Sequence, residues 1–205
     1  MILGITGGVG TGKSTVLCYL RERYGAFLIE CDEVARQLQQ PGEECYEPMR
    51  ELFRDESLLN EDGTFDRSAV ARKVFSDEEL LRTLNRIIHP AVKRRVRELI
   101  HEYCESFTGR PLIVIEAALL LEDNYGEICD EIWYIHADEV VRRERLKKSR
   151  GYSDEKITDL LKSQRSEENY RECCTLTIDN SSENIQNTFR QIDEALETRG
   201  FFPIT

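Results

Sequence analysis

The stretch Gly4-Ile5-Thr6-Gly7-Gly8-Val9-Gly10-Thr11-Gly12-Lys13-Ser14-Thr15 decides the fold. Within it, Gly7 to Ser14 matches G-x-x-x-x-G-K-[ST] without a gap. The apolar run 2–6 (ILGIT) precedes it and a helical segment follows near 13–24, so the loop sits where a strand hands over to a helix. Successive backbone N–H groups can converge on an anion there only where side chains do not crowd the turn, hence the glycines. The helix opening near Lys13 aims its positive end at the same point. The pattern predicts a cradle for nucleotide phosphates made by Gly8, Val9, Gly10, Thr11, Gly12, Lys13, Ser14 and Thr15. Lys13 would reach the β- and γ-phosphates, and the Ser14 hydroxyl would ligate Mg²⁺.

Working outward, four further runs read as strands: 26–31 (AFLIEC), 111–118 (PLIVIEAA), 131–137 (EIWYIHA) and 175–179 (TLTID). Most are unalternating and rich in Ile, Val and Leu, as strands covered on both faces are. A buried helix over 111–121 is the alternative for one of them. Helical segments separate the runs, so the class is α/β, a P-loop NTPase fold with a five-stranded parallel sheet flanked by helices. A chain of 205 residues has room for one substantial core carrying insertions. We therefore expect a single domain over 1–205 with two sub-regions. One is a mostly helical insertion, 32–110, in which Ile88, Val92, Val96, Leu99, Ile100 and Tyr103 recur at helical spacing and Pro90 suits a first helical turn. The other, 138–170, carries Arg142, Arg143, Arg145, Lys147, Lys148 and Arg150; from charge alone it is a solvated helix face.

The net charge of −11 argues against nucleic acid as a bulk partner, though a small anionic ligand needs only local positive charge. The run 112–121 is short for a membrane span and contains Glu116, and the first strand leaves no room for a presequence. Seven cysteines without a C-x-x-C pair suit reduced thiols. The expectation is a soluble cytoplasmic protein with no membrane partner, a monomer or weak homo-oligomer.

A phosphate loop alone leaves several activities open. No N-K-x-D stretch for guanine is present, and the single D-x-x-G, Asp123 to Gly126, is a short pattern that chance supplies. The size and the two insertions suit a small kinase. Open α/β sheets bind ligands at the carboxyl ends of their strands. The second strand is expected to end at Cys31-Asp32, which would put Asp32 on that rim. There Asp32 either orients and deprotonates an attacking hydroxyl or caps the helix that follows, and position alone does not choose.

Further residues narrow the choice. The D-x-x-A-R element Asp32-Glu33-Val34-Ala35-Arg36 is followed by Pro41-Gly42, Asp62-Gly63, Asp66-Arg67, Phe75 and His89-Pro90. With the Thr6–Thr15 loop, these make the chain similar, over nearly its whole length, to the dephospho-coenzyme A kinase family. The resemblance implies an ATP-dependent enzyme that phosphorylates the ribose 3′-hydroxyl of dephospho-CoA in the last step of coenzyme A synthesis. It implies ATP and dephospho-CoA as small-molecule substrates, Mg²⁺ as cofactor, Asp32 as base, a substrate-holding role for 32–110, and a position near the CoA-binding subdomain for His89.

Arg36, one helical turn past Asp32, would meet substrate phosphate or form an ordinary ion pair. His89, expected just before a helix, has a capping or packing role as its alternative. In such kinases a lid closes over ATP, so 138–170 becomes the candidate lid, with Arg142, Arg145 and Arg150 as candidate ATP contacts and Arg145 and Arg150 favoured. Gly151 reads as a hinge or helix stop. Glu116 would serve Mg²⁺ through water or pair with a lid or core arginine. The chain departs from the family pattern at Ala118-Leu119-Leu120-Leu121-Glu122, where a proline is missing and the turn is in doubt. It departs again at Asn180-Ser181-Ser182, where a glycine is missing and an adenine contact is in doubt.

Overall fold

The computed structural model describes residues 1–117 and 119–204. The expected departure at Ala118 lies outside the described residues. In chain order the elements are β1 (Ile2–Thr6), α1 (Lys13–Tyr24), β2 (Phe27–Glu30), α2 (Cys31–Leu38), α3 (Tyr46–Phe53), α4 (Arg67–Phe75), α5 (Glu78–Ser106), β3 (Ile113–Glu116), β4 (Glu131–His136), α6 (Glu139–Arg150), α7 (Asp154–Lys162), α8 (Glu167–Cys173), β5 (Leu176–Asp179) and α9 (Gln186–Glu197). Contacts divide the chain into two compact units: Met1–Ile29 together with the chain from Phe107 onward, and Glu30–Ser106.

The first unit is built on a five-stranded sheet of order β2-β3-β1-β4-β5 with all strands parallel. β1 lies at the centre, pairing with β3 on one side and β4 on the other. Ile113, Val114 and Ile115 of β3 are wholly buried although adjacent residues face opposite sides. A strand covered by packing on both faces explains the unalternating run. The strand reading of that run holds over Ile113–Glu116, and the helix alternative does not.

On one face, Leu3 and Ile5 of β1 meet Val16, Leu17, Leu20 and Tyr24 of α1, and Ile192 and Leu196 of α9. Each such aliphatic side chain taken out of water contributes about 1.5–3 kcal/mol, so the helix that follows the phosphate loop is anchored by its whole apolar stripe. α6 stops where expected: Gly151 takes φ 61° and its N–H donates to the Lys147 carbonyl.

The second unit is helical. Val34 and Leu38 of α2, Tyr46, Met49 and Phe53 of α3, and Leu84, Val92 and Val96 of α5 are buried. Between α3 and α4 the Asp62–Asp66 segment folds on itself. Asp62 accepts from the Thr64 N–H and hydroxyl, which pulls its carboxyl below its usual value. The Asp66 carboxylate accepts from the N–H groups of Ser68 and Ala69, capping α4.

Two expectations are corrected here. β2 ends at Glu30 and α2 already begins at Cys31, with Glu30 at the cap position; Asp32 lies in the first turn and is not the cap. Buried Cys31 and Val34, three residues apart, wind the chain early, and carboxylates suit a helix N-terminus. Second, no helix begins at Pro90. It lies inside the 29-residue α5, and His89 is therefore a mid-helix residue. Proline forfeits the hydrogen bond to the Arg86 carbonyl at a cost of about 3 kcal/mol. The buried residues Leu84, Ala91, Val92 and Val96 continue one stripe across it, and their packing carries the helix through.

Candidate functional site

The site of the first unit is assembled from strand ends. β1 releases the chain at Thr6, and the loop turns back on itself through Thr11, whose N–H and hydroxyl both donate to the Gly8 carbonyl, the hydroxyl at 2.9 Å. Gly12 adopts φ 87° immediately before α1, a conformation that L side chains rarely adopt. Lys13 then curls over the loop, and its Nζ donates to the Gly7 carbonyl at 2.7 Å.

Strand register decides what surrounds this turn. Ile5 pairs with Glu116, so the last residue of β3 stands level with the end of β1. The Glu116 carboxylate consequently lies 3.8 Å from Lys13 Nζ, both side chains being mostly buried. Where an arginine was one expected partner for Glu116, the structure places the loop lysine beside it. Ser14 and Thr15 are exposed in the first turn of α1.

α6 supplies two arginines to the same loop. Arg142 donates from Nε to the Val9 carbonyl at 2.9 Å and from its terminal nitrogen to the Gln164 carboxamide oxygen. That oxygen also accepts from the Val9 N–H at 3.3 Å. Arg145 spans two carbonyls, those of Thr11 at 3.3 Å and Asn180 at 2.9 Å. Burial pushes both guanidinium groups below their usual value. Among the described residues neither has a carboxylate at salt-bridge distance.

Their neighbours differ. Arg143 pairs with Glu139 and Lys147 with Asp154, each at 2.7 Å. Arg150 is exposed, its guanidinium 5.9 Å from the centre of the Tyr152 ring. The structure thus brings Arg142 and Arg145 to the loop and leaves Arg150 away from it, at the last turn of α6. Half-buried cations without anions are costly unless a ligand completes them. On the Gln164 flank, a cleft of about 280 Å³ is lined in part by Tyr134, His136, Arg142, Gln164 and Tyr170.

In the second unit, Asp32 and Arg36 are exposed on α2, and Arg36 is paired with Glu33 one turn away. His89 lines an open groove on α5 with Arg82, Asn85, Arg86 and Pro90.

Gln164 escaped the sequence reading and belongs to no motif, while Asn180 was singled out there only for the glycine missing two residues on, with no role given to its side chain. The available signal for Asn180 was its place directly after β5, on the strand edge where open sheets bind ligands; Gln164 carried none, since its partners are 22 and 155 residues away.

A central strand feeding a Gly-rich loop, a lysine held beside a strand-end carboxylate and two part-buried arginines that bond the loop's carbonyls define a P-loop kinase, an enzyme of nucleotide phosphates. A model of the dephospho-CoA kinase family matches residues 1–186, and the chain belongs to that family. It is a transferase that uses ATP to phosphorylate the ribose 3′-hydroxyl of dephospho-CoA, the final step of coenzyme A biosynthesis. The dephospho-CoA kinase of Oceanobacillus iheyensis is 32% identical over 197 residues, spanning 96% of each chain. That of Carboxydothermus hydrogenoformans is 35% identical over 191 residues, 93% of this chain and 90% of the other. The solved dephospho-CoA kinase from Campylobacter jejuni superposes with a TM-score of 0.71, covering 97% of this chain and 98% of its own; at 19% identity it speaks to the fold.

Proposed function

We propose that the phosphate loop and α6 hold the ATP triphosphate, that the 32–110 region holds dephospho-CoA, and that Asp32 is the base. The ribose hydroxyl oxygen attacks the γ-phosphorus, the bond from that phosphorus to the β–γ bridging oxygen breaks, and ADP leaves. The hydroxyl proton passes to the Asp32 carboxylate. Such a transfer is mostly positioning and charge stabilisation, so the fixed charges around the loop matter more than covalent chemistry. Lys13 exchanges the Gly7 carbonyl for phosphate oxygens when nucleotide arrives. Arg142 and Arg145 add positive charge, and 138–170 acts as the lid that excludes water.

The observation that carries this reading is the pair of desolvated guanidinium groups bonded to the loop with no carboxylate at salt-bridge distance among the described residues. A polyphosphate supplies the missing anion. For the acceptor, Arg36 and His89 are the proposed contacts.

The residues also fit Mg²⁺. Among the described residues no group of three or more His, Cys, Asp or Glu side chains could cage a metal. Mg²⁺ that travels with ATP keeps waters and phosphate oxygens and asks the protein for only one or two hard oxygens. The Ser14 hydroxyl and the Glu116 carboxylate are of that kind. When bound, the ion would neutralise charge on the phosphate oxygens.

No helix among the described residues is long and apolar enough to cross a membrane. We place the enzyme in the cytoplasm, where its free thiols, two of them adjacent at Cys173 and Cys174, remain reduced.

The test is product chemistry. Incubation with Mg²⁺-ATP and dephospho-CoA is expected to give a new phosphomonoester on the ribose 3′-oxygen, read by phosphorus NMR. Transfer to a nucleoside monophosphate, with none to dephospho-CoA, would refute the proposal.

A further inference from the structure

Asn180 is almost wholly buried, 1% exposed, directly after β5. Its backbone N–H donates to the His136 carbonyl at the end of β4 at 2.8 Å, which fixes where its side chain starts. The Nδ2 group donates to the Thr11 carbonyl at 2.7 Å, across 169 residues of chain. On the other side Oδ1 accepts from the Thr188 hydroxyl at 2.9 Å. The orientation of the amide follows from chemistry: a backbone carbonyl only accepts, so the NH₂ end must face Thr11. The approach is close. A Cβ built on Gly12 would run into the Asn180 amide nitrogen, so the glycine at 12 answers to this contact as well as to its positive φ.

The consequence lies in the peptide plane. In a trans peptide the carbonyl and the following N–H point to opposite sides. Asn180 and Arg145 both hold the Thr11 carbonyl outward. The Gly12 N–H, on the other edge of the same rigid plane, is thereby turned away from them. We infer that Asn180 is a positioning residue of the phosphate loop: it braces the Thr11–Gly12 peptide from behind, so that the Gly12 N–H is aimed for the nucleotide before the nucleotide arrives. Preorganised donors need no rearrangement at the moment of binding or transfer, which is where such a brace acts. Thr188 is the next layer, since its hydroxyl lies 2.9 Å from Oδ1 and supports the amide there, with the Asp179 carbonyl as a second acceptor at 3.2 Å.

The inference rests on the loop being the nucleotide site, and its test separates the two. Asn180→Asp keeps shape and the Thr188 bond but replaces the donor facing Thr11 with an acceptor. ADP titrated calorimetrically into the wild-type enzyme must first bind; no binding would remove the site reading and the brace with it. With the wild type binding, Asn180→Asp is expected to raise the ADP dissociation constant about tenfold or more, the scale of one lost hydrogen bond plus repulsion. kcat/KM for ATP should fall in parallel, while KM for dephospho-CoA at saturating ATP stays within about twofold. Equal ADP affinity in Asn180→Asp and wild type, with only a lowered melting temperature, overturns the brace and leaves Asn180 as packing. Where Asn180→Asp does not fold, Thr188→Val decides: a weakening of ADP binding of about two- to fivefold supports the inference, and unchanged affinity overturns it.

Discussion

The proposal gives Lys13 and Asp32 different duties, and the difference is measurable. Lys13 Nζ already holds a carbonyl of its own loop and stands 3.8 Å from Glu116, so a flexible side chain is kept at the turn without a ligand. On the proposed reading, removing it takes away a charge that nucleotide phosphates see in both the ground and transition states. Lys13→Ala is therefore expected to weaken ADP binding and to lower kcat by roughly 10²-fold or more. Asp32 is exposed in the first turn of α2 and is not the helix cap, so its replacement by asparagine removes little structure. As the base, Asp32→Asn should lower kcat by roughly 10²–10⁴-fold with ADP affinity within about twofold of wild type. Steady-state kinetics beside calorimetry reads both. Unchanged turnover in Asp32→Asn would remove it from the chemistry. The contrast also marks how far residues were legible. Lys13 is written in a motif, and Glu116 was visible as a carboxylate in an apolar strand. Its lysine partner follows from strand register, which a one-dimensional pattern does not contain.

Among the elements, α1 bears the loop and must stay fixed, and its hold on α9 is polar as well as apolar. Tyr19 and Tyr24 both donate to the Asp193 carboxylate, at 2.8 and 2.6 Å, and Tyr19 stacks on Phe189 with ring centres 3.8 Å apart. Burial, reinforced by the hydrogen bond to Asp193, raises the pKa of both phenols, that of Tyr19 to about 12. A phenol in an unfolded chain ionises near pH 10. Above that value the folded state retains protons that the unfolded state has lost, so stability falls as pH rises. The contribution is complete below about pH 10 and disappears as pH climbs through about 12. Urea midpoints measured from pH 9 to 11.5 are expected to decline, and Tyr24→Phe should flatten that decline. An equal slope in the variant would mean that other groups drive it. The phosphate-loop motif made α1 legible, because a helix must follow that loop near 13–24, where Lys13–Tyr24 forms it. Local reading misjudged α5, where a proline is a boundary signal by local rules, yet the stripe from Leu84 to Val96 ran on regardless. The partners of Tyr19, Tyr24, Gln164 and Asn180 lie far along the chain, and no local rule reaches them.

At the scale of the whole molecule, each of the two units has its own buried core, and the proposal gives each its own ligand: nucleotide to the sheet unit, acceptor to the helical one. Ligand linkage makes this testable without catalysis. A ligand present at a hundredfold excess over its dissociation constant stabilises the state that binds it by about 2.7 kcal/mol, which slows exchange of the amides it protects by about a hundredfold. Hydrogen exchange with Mg²⁺-ADP is expected to protect the amides of 8–16 and of α6, whose arginines bond that loop. Dephospho-CoA alone is expected to protect amides within 30–106, the α2 and α5 segments among them. The two patterns depend on different chemistry: loop N–H groups gain phosphate partners directly, whereas helical amides already bonded slow only if their opening is suppressed. Protection by dephospho-CoA confined to the sheet unit would overturn the assignment of the acceptor to the helices while leaving the nucleotide site intact. Protection by Mg²⁺-ADP that spares 8–16 would count against the phosphate loop itself.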